Sequence, residues 1–153
     1  MHLSSTFALL LLGSLAACGG GGSGGGGSPG VATERILVDG VEFEVWIAQT
    51  PAQHAEGLMG ATEADLAPLP DGTPRGMLFV FPTERLLSFW MRGTAVPLDL
   101  AYATADGTIV EVHDLLPFDE TSVSSGEPVQ YALEAAAGTL DAHGIGPGSV
   151  IVR

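Results

Sequence analysis

The chain contains no lysine, and its five arginines stand against 18 aspartates and glutamates, giving a formal net charge of -13. Every charged side chain lies from Glu34 onward, so the acidity belongs to the part of the chain that can fold. Proteins that bind nucleic acids or bare anionic membranes need Lys and Arg to neutralise phosphates. The composition therefore argues against DNA, RNA and anionic lipid as partners and predicts a well-solvated surface.

Cysteine is nearly as scarce, since Cys18 is the single one in the chain. One thiol allows no intramolecular disulfide, no zinc site built on cysteines and no catalytic thiol in the sequence that follows it. The sequence also indicates no cofactor.

Long apolar runs are missing too. A transmembrane helix needs about 20 apolar residues, and the longest run here, 7–17, is shorter. Its place near the amino terminus fits the hydrophobic region of a secretory signal, although no Lys or Arg precedes it. The letters LAAC at 15–18 resemble the lipobox of bacterial lipoproteins, in which the Cys becomes the first mature residue and is acylated. We therefore predict a signal peptide over 1–17 and lipidation of Cys18.

The stretch after the signal predicts how the folded part of the chain is anchored to a membrane. Residues 18–30 read as the acylated Cys plus a Gly/Ser tether, which cannot form a core and has a reach of about 20 Å. Gly19 occupies the position at which an Asp would indicate retention at the inner membrane. We expect an anchor in the bacterial cell envelope through acyl chains on Cys18, at the periplasmic face of the outer membrane.

Residues 31–153 are predicted to form a single β-rich domain. Asp39-Gly40 is a strong two-residue hairpin signal, and apolar side chains alternate along the strand that follows it. The apolar run GMLFVFP at 76–82 is too short for a buried helix and predicts a central strand. The predicted strands are 35–38, 41–47, 76–82, 87–91, 98–103, 108–113, 129–136 and 150–152.

Two short helices complete this prediction. A capping box at Thr50 and Gln53 predicts a helix from 51 to about 59, and Thr139 is expected to cap a single helical turn over 139–143. The stretches 61–75 and 114–128 read as loops. The sequence shows no internal repeat and no βαβ alternation. The pattern, mainly β with a minor α component, predicts a small antiparallel sheet or a partly closed β-barrel.

Six blocks of the sequence carry a family resemblance. They are GLMG (57–60), GMLFVF (76–81), FWMRGTAVPLD (89–99), DGTIVEVH (106–113), YALEAAAG (131–138) and HGIGPGSVIV (143–152). In this order and spacing they resemble the family known as domain of unknown function 192. The resemblance implies a mainly β fold that is often exported, and it supplies no catalytic residue. Ala61 and Gly93 depart from the family pattern, which commonly has Arg and Asn at those positions.

The block FWMRGTAVPLD at 89–99 is the strongest candidate for a binding surface. Alternation along the strand directs Trp90 and Arg92 to one face. Phe89 and Met91 then point to the core. In one interpretation the block is structural, and Asp99 caps a turn or pairs with Arg92. In the other, these side chains and Thr94 line a shallow site for a polar or anionic ligand, since Trp and Arg are typical of interaction hot spots. The sequence leaves both interpretations open.

Three further side chains are candidates: Glu111, His113 and Glu134. A hairpin turn at 106–107 would place Glu111 and His113 on one face of their strand and Asp99 on the opposite face, which argues against an Asp–His dyad. Two neighbouring ligands are too few for a zinc site, so the sequence predicts no metal.

Three functions are compatible with these features. The favoured one is a non-catalytic binding module for an envelope protein or glycan, because the sequence has no Gly-x-Ser-x-Gly elbow and no phosphate-binding loop. The second is an envelope hydrolase that uses paired carboxylates from among Asp99, Glu111 and Glu134. The third is a structural or assembly domain without a ligand. The sequence names no substrate.

Overall fold

The computed structural model describes residues 31–153. The predicted signal peptide (1–17), the lipidated Cys18 and the tether up to Gly30 lie outside the described residues. The elements of the described part are β1 (Thr33–Val38), β2 (Val41–Ala48), α1 (Pro51–Glu56), α2 (Glu63–Leu66), β3 (Arg75–Arg85), β4 (Ser88–Phe89), β5 (Leu98–Ala103), β6 (Ile109–Leu115), β7 (Val123–Ser124), β8 (Val129–Ala136), α3 (Thr139–Ala142) and β9 (Ile151–Val152). None of these helices is long and apolar enough to cross a membrane.

Seven of the strands form one sheet in the order β6-β5-β8-β3-β2-β1-β9, and this sheet curls into half a barrel. A separate two-stranded sheet pairs β4 with β7. The prediction of a mainly β, partly closed fold is confirmed. The large sheet is mixed rather than purely antiparallel, because β2 and β3 pair in parallel. Their connection, 49–74, carries α1 and α2 and returns the chain to the same end of the sheet, as parallel pairing requires.

Two local signals produced the elements that they predict. Asp39 and Gly40 have φ angles of 49° and 80°, and positive values at both central residues are what a tight hairpin turn of type I′ requires. Thr50 Oγ1 accepts a hydrogen bond from the backbone N of Gln53 at 3.2 Å, and Gln53 Oε1 accepts one from the backbone N of Thr50 at 3.0 Å. The hairpin and the capping box of α1 are therefore confirmed.

Three details differ from the prediction. Helix α1 ends at Glu56, a few residues earlier than expected, because Gly57 takes a positive φ of 50°. The stretch 61–75 contains α2, whose first turn is held by Asp65: its Oδ2 accepts from the backbone N and the hydroxyl of Thr62 at 2.8 and 2.7 Å. The long connection after β6 contains β7, whose pairing partner is the short strand β4.

Both faces of the large sheet are covered, so the sheet has a core on each side. All six residues of β5 are buried, and they alternate between two clusters. The first cluster lies against the helical connection and the segment 87–96, and takes Leu100 and Tyr102 from β5. The second takes Ala101 from β5 and Leu140 from α3. The candidate site lies on the face of the first cluster.

Candidate ligand-binding pocket

A cavity of about 760 Å³ opens on the face of the first cluster. Its walls come from α1, from β3 and from the segment 85–94, and β8 supplies Glu134. Pockets that hold small organic ligands have volumes of roughly 300–1,000 Å³. The cavity is therefore large enough for such a ligand.

Aromatic rings form much of the pocket wall, and they pack against one another. The imidazole of His54 stacks on Phe81 with ring centroids 4.2 Å apart, and Phe79 meets Phe89 edge-on at 4.8 Å. His54 Nε2 lies 3.0 Å from the carbonyl oxygen of Ala48, which fixes the ring on α1. Rigid rings with apolar faces suit a ligand that has an apolar or aromatic body.

The pocket lining also includes Trp90 and two exposed arginines, Arg85 and Arg92. Trp90 is 45% exposed, and the guanidinium carbon of Arg92 lies 5.6 Å from the centre of its ring, which is within cation–π distance. Within residues 31–153, neither arginine forms an ion pair with a carboxylate. The pocket lining thus carries two cations in a chain of strongly negative net charge.

The carboxyl group of Glu134 lies at the buried end of the pocket lining. The residue is 4% exposed, and in the strand register it sits between Met77 of β3 and Leu100 of β5. Burial away from water raises the pKa of Glu134 to about 8. Near neutral pH the side chain is therefore mostly a neutral acid, which can donate a hydrogen bond.

Four of the residues singled out in the sequence line this one pocket, namely Trp90, Arg92, Thr94 and Glu134. Trp90 and Arg92 are exposed together and Met91 between them is buried, as alternation predicts. Thr94 is buried, and its backbone holds the segment in place: its N donates to the carbonyl of Met91 at 3.1 Å, and its carbonyl accepts from the N of Phe118 at 3.0 Å.

Asp99 caps a helix and is not part of the pocket. Its Oδ1 accepts from the backbone N of Gly138 and its Oδ2 from that of Leu140, both at 2.8 Å. These amides are at the start of α3, so a side chain of β5 takes the capping role that was predicted for Thr139. The predictions that Asp99 pairs with Arg92 or caps a turn of its own block are therefore wrong. The physical reason is that Asp99 faces the second cluster, away from Arg92.

Glu111 and His113 form a separate cluster on β6. His113 Nε2 lies 2.9 Å from Glu111 Oε2, while Glu111 Oε1 accepts from the backbone N of Gly126 at 2.6 Å. The hydrogen bonds with His113 and Gly126 lower the pKa of Glu111. Asp99 lies opposite Asp114 in the strand register, on the other face from His113, as predicted. Within residues 31–153, no group of three His, Cys, Asp or Glu side chains is placed to hold a metal ion.

A comparison with protein families identifies the domain. Residues 34–152 match DUF192, a family described as an uncharacterized ACR. The chain belongs to this family. The resemblance carried by the six sequence blocks is thereby confirmed, and the match spans every residue of the pocket. None of the curated proteins matches the chain.

Two crystal structures are similar to this DUF192 protein. A candidate transcription regulator from Sinorhizobium meliloti 1021 is 34% identical, covering 82% of this chain and 96% of that chain, with a TM-score of 0.73. A protein of unknown function from Novosphingobium aromaticivorans DSM 12444 is 27% identical, covering 92% and 99%, with a TM-score of 0.71. Both core clusters lie within residues 31–153, and both relatives are matched along nearly their whole length. The two relatives therefore fold as chains that are matched almost entirely by this protein.

Sequence patterns do not reveal most of the DUF192 pocket. Phe79 and Phe81 read as parts of a buried strand, and their spacing of two is the one signal that they share a face. His54 and Arg85 stand in no motif. They meet the block 89–99 only because the crossover between β2 and β3 lays α1 over this face of the sheet.

Proposed function

We propose that this DUF192 domain is a non-catalytic binding module whose pocket holds a small organic molecule. The observation that carries the proposal is the aromatic-walled cavity of about 760 Å³ with Glu134 at its buried end. Cavities of this volume are typical of small-molecule sites, and burying an acid group costs free energy unless the group is hydrogen-bonded. A ligand that fills the cavity and accepts a hydrogen bond from Glu134 accounts for both features.

The placement of the acids supports binding rather than the hydrolase alternative. Paired-carboxylate chemistry requires two acids on either side of one scissile bond. Asp99 caps α3, Glu111 is engaged by His113 and Gly126, and Glu134 is the one of the three that lines the pocket. The three candidate acids therefore do not flank a shared substrate position.

The shape of the pocket favours a small ligand over an envelope protein or glycan as the partner. An envelope protein or glycan was predicted to bind a surface of Trp90, Arg92 and Asp99, but Asp99 lies on the other face of the sheet. The remaining two side chains open onto a concave cavity, which supports a small ligand over an extended partner. One relative is named as a candidate transcription regulator. The net charge of -13 and the absence of lysine nevertheless argue against DNA as the partner of this chain.

Obstructing the pocket from α1 tests the proposal without disturbing the core. Ala55 is exposed on α1 and lines the pocket, whereas Ala52 is exposed on the same helix and does not line it. We expect Ala55→Trp to weaken binding of the neutral dye N-phenyl-1-naphthylamine by at least about tenfold, since an indole placed at the wall competes for the space of the dye. Fluorescence titration of residues 31–153 gives the dissociation constants.

Ala52→Trp is the matched control, because it adds the same side chain to the same helix outside the pocket. It is expected to bind the dye as the wild type does. Equal binding by the wild type and Ala55→Trp would place the dye elsewhere on the domain. A wild-type domain that leaves the dye unbound would contradict the proposed function.

We further propose that the binding module is held at the bacterial envelope by acyl chains on Cys18, on the periplasmic face of the outer membrane. The support is the LAAC block at 15–18 and the Gly/Ser tether that follows it. Acyl chains on Cys18 would keep the pocket close to the membrane surface and to the ligands found there.

Replacing Cys18 with serine tests the anchor. In a Gram-negative host we expect the wild-type chain in the outer-membrane fraction and labelled by radioactive palmitate, and Cys18→Ser unlabelled, because an alcohol does not replace the thiol that is acylated. Ser23→Cys with Cys18→Ser is the control, since it restores a thiol outside the block. Wild-type protein found in the inner-membrane fraction would contradict the outer-membrane location, and an unlabelled wild type would contradict the anchor.

A further inference from the structure

The five arginines of the chain fall into two groups: three lie near a carboxylate, and two line the pocket without one. Arg35 pairs with Glu42, and Arg153 with Glu34 at 2.8 Å. A third, Arg75, lies 3.7 Å from a carboxylate oxygen and 4.6 Å over a tryptophan ring. The remaining two, Arg85 and Arg92, line the pocket and have no carboxylate within ion-pair distance among residues 31–153.

This arrangement is unexpected for a chain in which acids outnumber arginines by 18 to five. An arginine in such a chain finds a carboxylate neighbour easily, as the other three do. Keeping both pocket arginines away from carboxylates leaves their guanidinium groups available to an anion, for which a planar fork of N–H donors is well suited.

Both pocket arginines are positioned by the fold. The pairing of β3 with β8 is irregular between Val80 and Arg85, and an irregularity of this kind redirects the side chains that follow it. Arg92 is held against the ring of Trp90. The two cations therefore border the same cavity although they belong to different segments of the chain.

The acids of the pocket do not cancel these two charges. Glu134 is mostly neutral near pH 7 because it is buried, and Glu56 is the other acid that lines the cavity. Counting Arg85 and Arg92 as +2 and Glu56 as -1 gives the pocket a net charge of +1. The aromatic wall below offers an apolar surface, so the lining as a whole is matched to an amphiphilic anion.

We propose that the ligand of this pocket is a small organic anion, with an aromatic or aliphatic body against Phe79, Phe81 and Phe89 and a carboxylate, sulfonate or phosphate group at Arg85 and Arg92. The inference rests on the proposed binding function and specifies its ligand class. The buried end of the ligand carries an acceptor for the hydrogen bond that Glu134 donates.

A pair of dyes that differ in one sulfonate group tests this inference. N-phenyl-1-naphthylamine is neutral, and 8-anilinonaphthalene-1-sulfonate has the same aromatic body with one negative charge. We expect Arg85→Gln with Arg92→Gln, made in residues 31–153, to weaken sulfonate binding by about tenfold, which corresponds to about 1.4 kcal/mol. Binding of the neutral dye should change less than about twofold, because the aromatic wall is intact.

Arg35→Glu is the matched control, since this one charge reversal changes the net charge of the domain by the same amount as the two neutralisations, at a residue outside the pocket lining. It is expected to bind both dyes as the wild type does. Thermal melting of each variant establishes that it is folded before the titrations are compared.

The outcomes separate the ligand class from the proposed function. If the pocket double variant binds the sulfonate as tightly as the wild type while the neutral dye binds in the pocket, the anion inference is overturned and the binding function stands. If neither dye binds the wild type, both are overturned. If the two arginines matter for flotation with phosphatidylglycerol vesicles but not for the soluble sulfonate, the anion is a membrane headgroup and the small-molecule inference is overturned.

Discussion

Asp99→Ala is expected to lower the melting temperature of residues 31–153 by roughly 10 °C. The carboxylate is 3% exposed and accepts two hydrogen bonds of 2.8 Å from the amides that begin α3. Hydrogen bonds to a charged group contribute about 1.5–3 kcal/mol each, and alanine leaves both amides without a partner. A total loss of about 3 kcal/mol in the free energy of unfolding gives a shift of this size in a domain of this length.

Two companion variants show whether the cap is the cause. Asp99→Asn keeps one carbonyl oxygen and is expected to lose roughly half as much stability, because one of the two amides keeps a good acceptor. Arg92→Ala removes an exposed side chain from the same block and is expected to change the free energy of unfolding by less than about 1 kcal/mol. Differential scanning calorimetry of the three variants suffices. Equal melting of Asp99→Ala and Arg92→Ala would contradict the capping role.

Glu134→Gln is expected to make the domain several kcal/mol more stable than the wild type at pH 9, and about equally stable near pH 4.5. Burial raises the pKa of Glu134 from 4.5 to about 8 in the folded chain. Between these two values the folded chain holds a proton that the unfolded chain has released. The stability of the wild type therefore falls as pH rises through this window, by about 1.4 kcal/mol per pH unit, and levels off above it.

Glutamine does not titrate, so the variant lacks this decline. The full window corresponds to roughly 3–5 kcal/mol, and urea denaturation at pH 5, 7 and 9 measures the difference between the two proteins. Glu120→Gln, at an exposed position, is the control and should run parallel to the wild type. Parallel stability profiles for the wild type and Glu134→Gln would mean that Glu134 is solvated in the folded state.

The structure answers the question raised by the block 89–99. The block is structural at one end and lines the pocket at the other. Asp99 faces the second cluster and ties β5 to α3, whereas Trp90 and Arg92 border the cavity on the first. The block is thus neither wholly structural nor wholly a binding surface. The reason is that β5, which carries Asp99, is buried on both of its faces.

The sequence determined what short-range physics controls. The hairpin at Asp39-Gly40 follows from two residues that accept positive φ, and the start of α1 follows from a cap and its reciprocal partner three residues apart. The strands 98–103 and 129–136 follow from apolar content and length, and the structure has them at these bounds. Each of these features is fixed by residues that are close along the chain.

The tertiary structure alone decided how distant segments meet. Local signals do not give the order or direction of strands, so the parallel pairing of β2 with β3 was not predictable from turn chemistry. That pairing lays α1 over the sheet and thereby creates the pocket. Asp99 reaches the amides of α3 39 and 41 residues away, and the apolar neighbours that change the pKa of Glu134 come from two other strands. A side chain's role in this protein depends on which face of the sheet it occupies and on what packs there, and both are set by long-range packing.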